Sequence, residues 1–354
     1  MKTLAAYLLR TVLGATGLVL LVLLAVAGFI EFIGQLDDTG EGSYTTAGAA
    51  LYTALRLPML GVDMLPVATL LGALVGLGNL AGHSELIAMR AAGISARRLG
   101  LAVAVSGLLL AVGGAVIAEY IAPPLDQFAR KYRSAARNRA DLAGTSNTWV
   151  RDGRRVFNVE RVDEQLQFGG VYVFEVESDQ ELAMVAYASR ADLDPDGRWA
   201  LQSFTETRFD GMNVSATSAP TILRDFNVDA ELLGIAALRP YSLSVRGLLA
   251  YLSYLRANRL DARAYETELW SRVSDVLATV LMPMLAIGFV FGALRRSGTG
   301  ARLTLGVLIG LAYFLASRTL ANSGQVFALE PALVGLAPSA ALAVATIIVL
   351  QRVR

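Results

Sequence analysis

The chain contains no cysteine and a single histidine, His83, among its 354 residues. Without cysteine there is no disulfide framework, thiol nucleophile or thiolate metal ligand, and one histidine is too few for an ordinary zinc site. Charged residues make up only 17% of the chain, and its net charge of +1 argues against a nucleic-acid partner. We therefore expect neither a metal nor a cofactor.

The motifs that usually reveal catalysis are also missing. The sequence has no G-x-x-x-x-G-K-[ST] phosphate loop, no G-x-S-x-G nucleophile elbow and no H-E-x-x-H zinc motif. No pair of carboxylates stands at a catalytic spacing either. The residues therefore predict a protein that is not an enzyme.

What the chain has in abundance is hydrophobic residues, at 55%. They form six long apolar runs, at 11–30, 57–82, 99–118, 276–294, 303–329 and 331–351. Each run supplies roughly the 20 residues that a helix needs to cross about 30 Å of hydrocarbon. A long polar region separates the third run from the fourth. This pattern predicts a membrane α-helical bundle of six transmembrane helices, arranged three plus three around an inserted domain.

Two details of these runs bear on the mature protein and its packing. Ala25-Val26-Ala27 imitates a signal-peptide cleavage site, but the first run is too long for a signal peptide and Glu31 closes it like a membrane boundary, so we expect it to be retained. Glycines at 72–76 and 113–114 are typical of small-residue faces where helices pack closely.

The short loops indicate the orientation. Basic residues occupy the loops between runs two and three and between runs four and five, and both termini: Arg90, Arg97, Arg98, Arg295, Arg296, Arg302, Lys2, Arg10, Arg352 and Arg354. The loop after run one is acidic instead, with Glu31, Asp37, Asp38 and Glu41. Because basic loops stay in the cytoplasm, we expect both termini inside and the polar middle region outside.

The cytoplasmic stretch 83–98 reads as one short amphipathic helix between two spans. Ser84 is a candidate start signal and Gly93 a candidate stop, while Leu86, Met89 and Gly93 fall on one side. Such a helix is either an ordinary loop or a docking element for a partner that acts on the spans. The residues alone leave both interpretations open.

The outside region opens with a basic helical extension of the third span and continues as β-structure. Arg130, Arg133 and Arg137 recur at helical spacing and share a face. From residue 148 onward, short β-rich runs alternate with turn signals at Asp152-Gly153, Asp194-Pro195-Asp196-Gly197 and Asp210-Gly211. This predicts a small sandwich or jelly roll. A helical return at 244–255 follows, with an apolar stripe of Leu248, Leu249, Leu252 and Leu255.

Three stretches in this order resemble a known family. They are QLDDTGEGSY after the first span, SELIAMRAAGIS between spans two and three, and EYIAPPLDQFARKYR after span three. Together with the layout they are similar to the LptF/LptG (YjgP/YjgQ) permease family of the lipopolysaccharide export system, most of all to its LptG branch.

The resemblance implies a fold and an assembly. The outside domain would be a periplasmic β-jelly roll, and the protein would lie in the bacterial inner membrane with both termini cytoplasmic. Implied domain limits are 1–122 for the first three spans, 123–264 for the periplasmic domain and 265–354 for the last three spans. Implied partners are a homologous LptF permease, an LptB ATPase dimer that hydrolyses ATP in trans, LptC, and LptA through a jelly-roll bridge.

The resemblance also implies site residues. The segment 84–93 would be the coupling helix that fits a groove of the ATPase, through Ser84, Glu85, Leu86, Met89, Arg90 and Gly93. Lipopolysaccharide phosphates would meet basic residues, and the candidates are Arg130, Arg133 and Arg318, the last within span five. Each of the three could instead be a snorkelling or solvated cation.

One region departs from the family pattern. The best-known members of the family carry lysines at the end of span one, where this chain has Glu31, Asp37 and Asp38. Carboxylates repel phosphate unless a divalent cation bridges them, so Glu31 is a lipid contact only with such help. Either the arginines bind the phosphates here or the lipid differs.

Two other functions fit parts of the pattern. A non-transporting receptor or scaffold with a periplasmic binding domain would need no ATPase partner. A lipoprotein-exporting permease would share the energy source but usually has fewer spans and a larger outside domain.

Overall fold

A computed structural model describes residues 2–137, 148–162, 168–177, 181–193, 198–211, 213–224, 240–291, 299–326 and 329–352. The chain divides into two compact units, a helical unit of Met1–Ala140 with Arg263–Arg354 and a β unit of Asp141–Ala262. The domain limits expected after residues 122 and 264 stay a prediction.

The described helices follow the order expected from the apolar runs. They are α1 (Lys2–Leu36), α2 (Thr46–Gly82), α3 (Glu85–Ala91), α4 (Ala96–Val116), a π-helical turn (Ile117–Ile121), α5 (Ala122–Arg137), α6 (Val245–Ala257), α7 (Arg263–Phe291), α8 (Thr299–Val326) and α9 (Pro331–Gln351). Six of the described helices are long and apolar enough to cross a membrane: α1, α2, α4 with its continuation into α5, α7, α8 and α9. The predicted three-plus-three arrangement is confirmed.

The core of the helical unit lies along α2 and α7. Leu70, Leu74 and Leu77 of α2 and Met282 and Ile287 of α7 are buried in one cluster. α1 and α8 also pack against α2, while α9 packs against α7. The two central helices therefore position the others around them.

Glycines allow the closest helix contacts. A Cβ at Gly72 would overlap the backbone of Thr16 on α1, and one at Gly114 would overlap Leu65. The predicted packing role is confirmed at these two positions. It is wrong at Gly113, where a Cβ would meet no atom within 4 Å, because this residue of α4 points away from the bundle.

The β unit contains six described strands in one antiparallel sheet. They are β1 (Thr148–Asp152), β2 (Arg155–Val162), β3 (Phe168–Val176), β4 (Leu182–Leu193), β5 (Trp199–Asp210) and β6 (Asn213–Arg224). Each described strand pairs with its neighbour in sequence, so the sheet is a meander. An all-β domain inserted between helices is confirmed, while the two-sheet closure of a jelly roll stays a prediction.

Two of the predicted turns join neighbouring strands as expected. Gly153 (φ +58°) connects β1 to β2 and Gly211 (φ +59°) follows β5, both in the left-handed region that glycine adopts without strain. The predicted turn at 194–197 lies outside the described residues.

One face of the sheet forms a core and α6 lies in the same unit. Val150, Phe157 and Val173 are among the buried residues of that face. The Tyr254 hydroxyl of α6 accepts from the Arg151 amide (2.7 Å) and donates to the Arg151 carbonyl (2.8 Å). Burial raises the pKa of Tyr254, so the hydroxyl keeps the proton that it donates.

The predicted helical return is confirmed as α6. Ser244 caps its first turn by accepting from the Gly247 amide at 3.1 Å. Leu248, Leu252 and Leu255 are buried as the stripe predicts, but Leu249 is exposed, since it lies one residue off the buried face.

Candidate functional site

The helix α3 is held at its C-terminal end by glycine. Gly93 has φ +84°, its amide bonds to the Arg90 carbonyl at 3.0 Å, and the Ile94 amide bonds to the Met89 carbonyl at 3.2 Å. This pair of bonds is a Schellman motif, which satisfies carbonyls that the last turn leaves open. The predicted stop at Gly93 is confirmed.

The predicted start signal is wrong in its chemistry. Ser84 stands at the N-cap position, but it has φ +62° and its side chain makes no capping hydrogen bond. The chain must reverse from α2 into α3 within two residues, and the left-handed conformation of Ser84 makes that reversal. Glu85 in the first turn provides a favourable charge at the helix N-terminus instead.

The apolar side of α3 is seated in the helical bundle. Leu86 is only 2% exposed, and Met89 packs against the same core cluster. A small apolar pocket beneath α3 is lined by Leu8, Leu77, Leu86, Leu99, Val103, Ile287, Val290 and Phe291. The predicted shared side of Leu86 and Met89 is confirmed, and α3 is therefore an anchored element.

The other side of α3 faces away from the bundle. Ile87 is 49% exposed, and Arg90 is exposed with its guanidinium 5.5 Å from the centre of the Phe291 ring. The Tyr7 hydroxyl of α1 donates to Glu85 Oε2 at 2.8 Å. The surface of α3 thus offers an exposed base and an exposed aliphatic residue, with a half-buried acid that is bonded to α1.

A second concentration of charge lies where α1, α2 and α5 meet. We call it the arginine–carboxylate cluster, and it comprises Glu31, Asp38, Glu41, Arg56, Asp126, Arg130, Arg133 and Arg137. The loop after α1 is tied to α5 because the Ser43 amide donates to the Ala136 carbonyl at 2.7 Å. This contact brings the acidic loop against the basic face of α5.

The buried centre of the cluster is Asp126. Its side chain has no exposed surface, and it accepts from Arg56 Nε at 3.0 Å and from Arg130 Nε at 2.7 Å. Arg56 also pairs with Glu31. A buried carboxylate needs such partners, because an unpaired charge would lose its hydration without compensation.

The outer part of the cluster surrounds Asp38. Its two oxygens pair with Arg133 and with Arg137, the latter at 2.9 Å, and Arg137 also binds Glu41. The Tyr52 ring lies 5.5 Å from the guanidinium of Arg133. Buried Nε of Arg133 has no acceptor among the described residues. Glu31 and Asp38, two acidic residues near the end of α1, are therefore paired with arginines.

The structure brings three of the four predicted lipid contacts together. Glu31, Arg130 and Arg133 belong to the arginine–carboxylate cluster, whereas Arg318 pairs with Asp63 on another helix. Sequence reasoning did not assign partners to any of them. For Arg318 a signal existed, because Asp63 and Arg318 are isolated charges of opposite sign in otherwise apolar runs.

These observations define a class: a multi-span α-helical membrane protein with an inserted β-domain and a short, anchored, surface-facing helix between two spans. The chain belongs to the lipopolysaccharide export system permease LptF/LptG family, whose profile matches residues 6–352. The resemblance stated above is thus confirmed.

Named relatives match along nearly their whole length. The lipopolysaccharide export system permease protein LptG of Escherichia coli K12 is 31% identical over 350 residues, covering 98% of this chain and 97% of that protein. The protein of the same name from Haemophilus influenzae Rd is 30% identical over 340 residues, covering 96% and 95%.

Proposed function

We propose that this chain is a permease subunit of a lipopolysaccharide export transporter in the bacterial inner membrane. It extracts the lipid from the outer leaflet and passes it toward a periplasmic bridge. The observation that carries the proposal is α3, whose apolar side is anchored in a six-span bundle while Ile87 and Arg90 are exposed at its surface. Membership of the LptF/LptG family supports the substrate.

The orientation follows from charge. With the basic loops and both termini in the cytoplasm, α3 meets a cytoplasmic partner and the β unit lies in the periplasm. The arginine–carboxylate cluster is then at the outer end of the spans, because it lies between the end of α1 and the start of α2. This is the depth at which phosphates of an outer-leaflet lipid reside.

The energy source is an ATPase supplied in trans. An LptB dimer binds α3 of this chain and the equivalent helix of a homologous LptF subunit. Glu85 and Arg90 offer charge-assisted hydrogen bonds to the ATPase groove, while Leu86 and Met89 fix the helix to the spans. Ser84 and Gly93 set where the helix begins and ends.

The transport step is a shift between conformations. ATP binding closes the ATPase dimer and moves α3, and the packing of Leu86 against Leu8 and Leu77 transmits that movement to α1 and α2. The spans then pass from a cavity open to the outer leaflet to a collapsed one. Because α3 is packed against the spans and is not carried on a flexible loop, its displacement moves the spans directly.

The lipid phosphates bind at the outer cluster. Phosphate oxygens of the lipid replace the partly exposed Asp38 carboxylate on Arg133, while Arg130 stays paired with the buried Asp126 and adds positive charge beside it. Glu31 contributes by keeping Arg56 neutralised and in place. No divalent cation is needed, since the acidic residues already have arginine partners.

The β unit forwards the lipid. β1 and β6 are the edges of the described sheet, and an edge strand can pair with a strand of another protein. LptC and LptA are the partners that such edges would join into a bridge toward the outer membrane.

Co-purification tests the proposal. The full-length tagged chain should bring an ATPase subunit out of membranes, and Glu85→Lys should remove most of it. Glu330→Lys is the matched control, because Glu330 is an exposed glutamate that stands before α9, on the proposed outer side. An ATPase that stays bound to the Glu85→Lys chain, with unchanged lipid-stimulated turnover, would contradict the docking role.

A further inference from the structure

Two isolated charges inside the spans contact each other. Arg318 Nη2 of α8 lies 2.8 Å from Asp63 Oδ2 of α2. Neither side chain is enclosed, since the side chain of Arg318 is 48% exposed and that of Asp63 33% exposed. An anion that approached from the lipid or cavity side could therefore reach the guanidinium.

The helix that carries Arg318 is lightly packed. Only 11% of the most apolar stretch of α8 is buried, against 61% for α2 and 56% for α7. One half of α8 packs closely against α2 at two glycines. A Cβ at Gly306 or Gly310 would overlap leucine or valine side chains of α2. Farther along α8, the Arg318–Asp63 pair joins this helix to α2.

A second polar contact lies on the same part of α8. The Tyr313 hydroxyl donates to Asp275 Oδ1 of α7 at 3.2 Å. Apolar packing between membrane helices gains little over contact with lipid, so polar contacts account for much of helix association there. The Arg318–Asp63 pair and the Tyr313–Asp275 bond are thus polar links, among the described residues, between this half of α8 and its neighbours.

The chemistry of the pair allows exchange. A cation at membrane depth must keep a partner, but a phosphate serves a guanidinium as well as a carboxylate does, with two parallel N–H···O bonds. The Phe314 ring lies 5.7 Å from the guanidinium centre. It supports the group on one side and leaves the hydrogen-bonding fork to an anion.

We propose that Arg318 and Asp63 form an anion-exchange latch, in which a phosphate group on a lipid replaces the Asp63 carboxylate on Arg318 and thereby detaches α8 from α2. The inference rests on the proposed lipid-transport function and assigns Asp63 a role as the resident counter-ion. By linkage, the phosphate binds more tightly when α8 is detached, so substrate binding and helix movement favour each other.

A distance measurement tests the latch. Because the chain has no cysteine, spin labels can be placed at Ala54→Cys on α2 and Asn322→Cys on α8, both exposed positions. The labelled chain is studied in its complete transporter in lipid nanodiscs by double electron–electron resonance. Lipid A with two phosphates should lengthen the mean distance, whereas lipid A stripped of phosphate and inorganic phosphate should not.

Variants separate the latch from other causes. Asp63→Asn should give the longer distance without added lipid and bind phosphorylated lipid A about tenfold more tightly, because the competing carboxylate is gone. Arg318→Gln should also give the longer distance but no longer respond to the phosphate groups. Glu330→Gln is the control, since Glu330 is an exposed carboxylate that precedes α9, and it should change neither reading.

The result that overturns the latch is an Asp63→Asn chain with the distance and lipid affinity of the parent. Equal responses to phosphorylated and stripped lipid A would overturn it as well, and this comparison needs no variant at Asp63. A response to inorganic phosphate alone would refute a lipid as the ligand. Failure of the transport function itself would appear separately, as loss of ATPase co-purification.

Discussion

The two charged regions of the helical unit are built in opposite ways. At α3 the buried contacts are apolar, through Leu86 and Met89, while Arg90 is exposed and Glu85 is half-buried beside Tyr7. In the arginine–carboxylate cluster the buried contacts are ion pairs, and Asp126 is fully buried between two arginines. The first arrangement suits the proposed docking of a protein on a fixed surface. The second neutralises its charges internally, as the proposed exchange of anions requires.

This difference explains how acidic residues can stand where we propose that lipid phosphates bind. Four carboxylates face four arginines in the cluster, so the region carries little net charge despite its acidic loop. At the partly exposed Asp38–Arg133 pair one anion can replace another at a smaller cost than at the buried Asp126, whereas free lysines would attract anions of any kind. The comparison therefore predicts that the two regions fail differently when they are mutated.

The largest effect is expected at Asp126. Asp126→Asn leaves Arg56 and Arg130 without the carboxylate that they share, and breaking a buried pair costs about 3–5 kcal/mol. Thermal unfolding in detergent should show a strong drop in Tm. Glu41→Gln is the control, because Glu41 is an exposed partner of Arg137 and should cost no more than about 1 kcal/mol. Equal losses would show that the centre of the cluster is no more important than its edge.

The next largest effect is expected where α3 packs against the helical bundle. Leu86→Ala removes a buried side chain and should cost about 2–4 kcal/mol, with loss of ATPase assembly. Ile87→Ala lies on the outward side and should leave Tm unchanged while weakening ATPase binding. If the Leu86→Ala chain assembled normally with the ATPase, the apolar packing of Leu86 would not be what positions the helix.

Charge reversal at Arg133 tests the exchange of anions. Arg133→Glu should lower photo-crosslinking of phosphorylated lipid to the outer cluster about tenfold or more, because a charge-assisted bond is replaced by repulsion. Lys131→Glu changes charge equally on the same helix at an exposed position, and it should have little effect. A similar loss in both variants would indicate a general surface potential and no specific contact.

The smallest effect is expected at the end of α3. Gly93→Ala forces a Cβ into the left-handed region, which costs about 1 kcal/mol. Hydrogen exchange should show faster opening of 88–94, with Tm of the whole protein nearly unchanged. Gly82→Ala is the comparison, since Gly82 has no positive φ and no atom within 4 Å of an added Cβ. Identical exchange in the two variants would contradict the Schellman stop.

The sequence was informative where the determinants are local. Helical spacing predicted that Leu86 and Met89 share the buried side, and a single glycine predicted the end of α3. Six apolar runs predicted the spans for the same reason, since hydrocarbon thickness sets their length. The start of α3 was harder to predict. Serine is a common N-cap residue, but Ser84 adopts a left-handed conformation and its side chain makes no capping hydrogen bond.

The pairing of charges could not be predicted in the same way. Arg56 and Asp126 are 70 residues apart, and several arginines and carboxylates could have paired with equal chemical sense. Only the packing of α5 and the acidic loop selects the partners. Sequence reasoning therefore found Arg130, Arg133 and Glu31 as charges near the membrane surface but missed Arg56 and Asp126, which organise them.

The most direct test of the account uses the absence of cysteine. A single Arg90→Cys chain in its complete transporter is treated with a membrane-impermeant maleimide, either in sealed right-side-out vesicles or in inverted vesicles. We predict labelling only in inverted vesicles, and protection there when the ATPase is bound. Labelling from the periplasmic side, or equal labelling with and without the ATPase, would contradict α3 as the cytoplasmic docking helix.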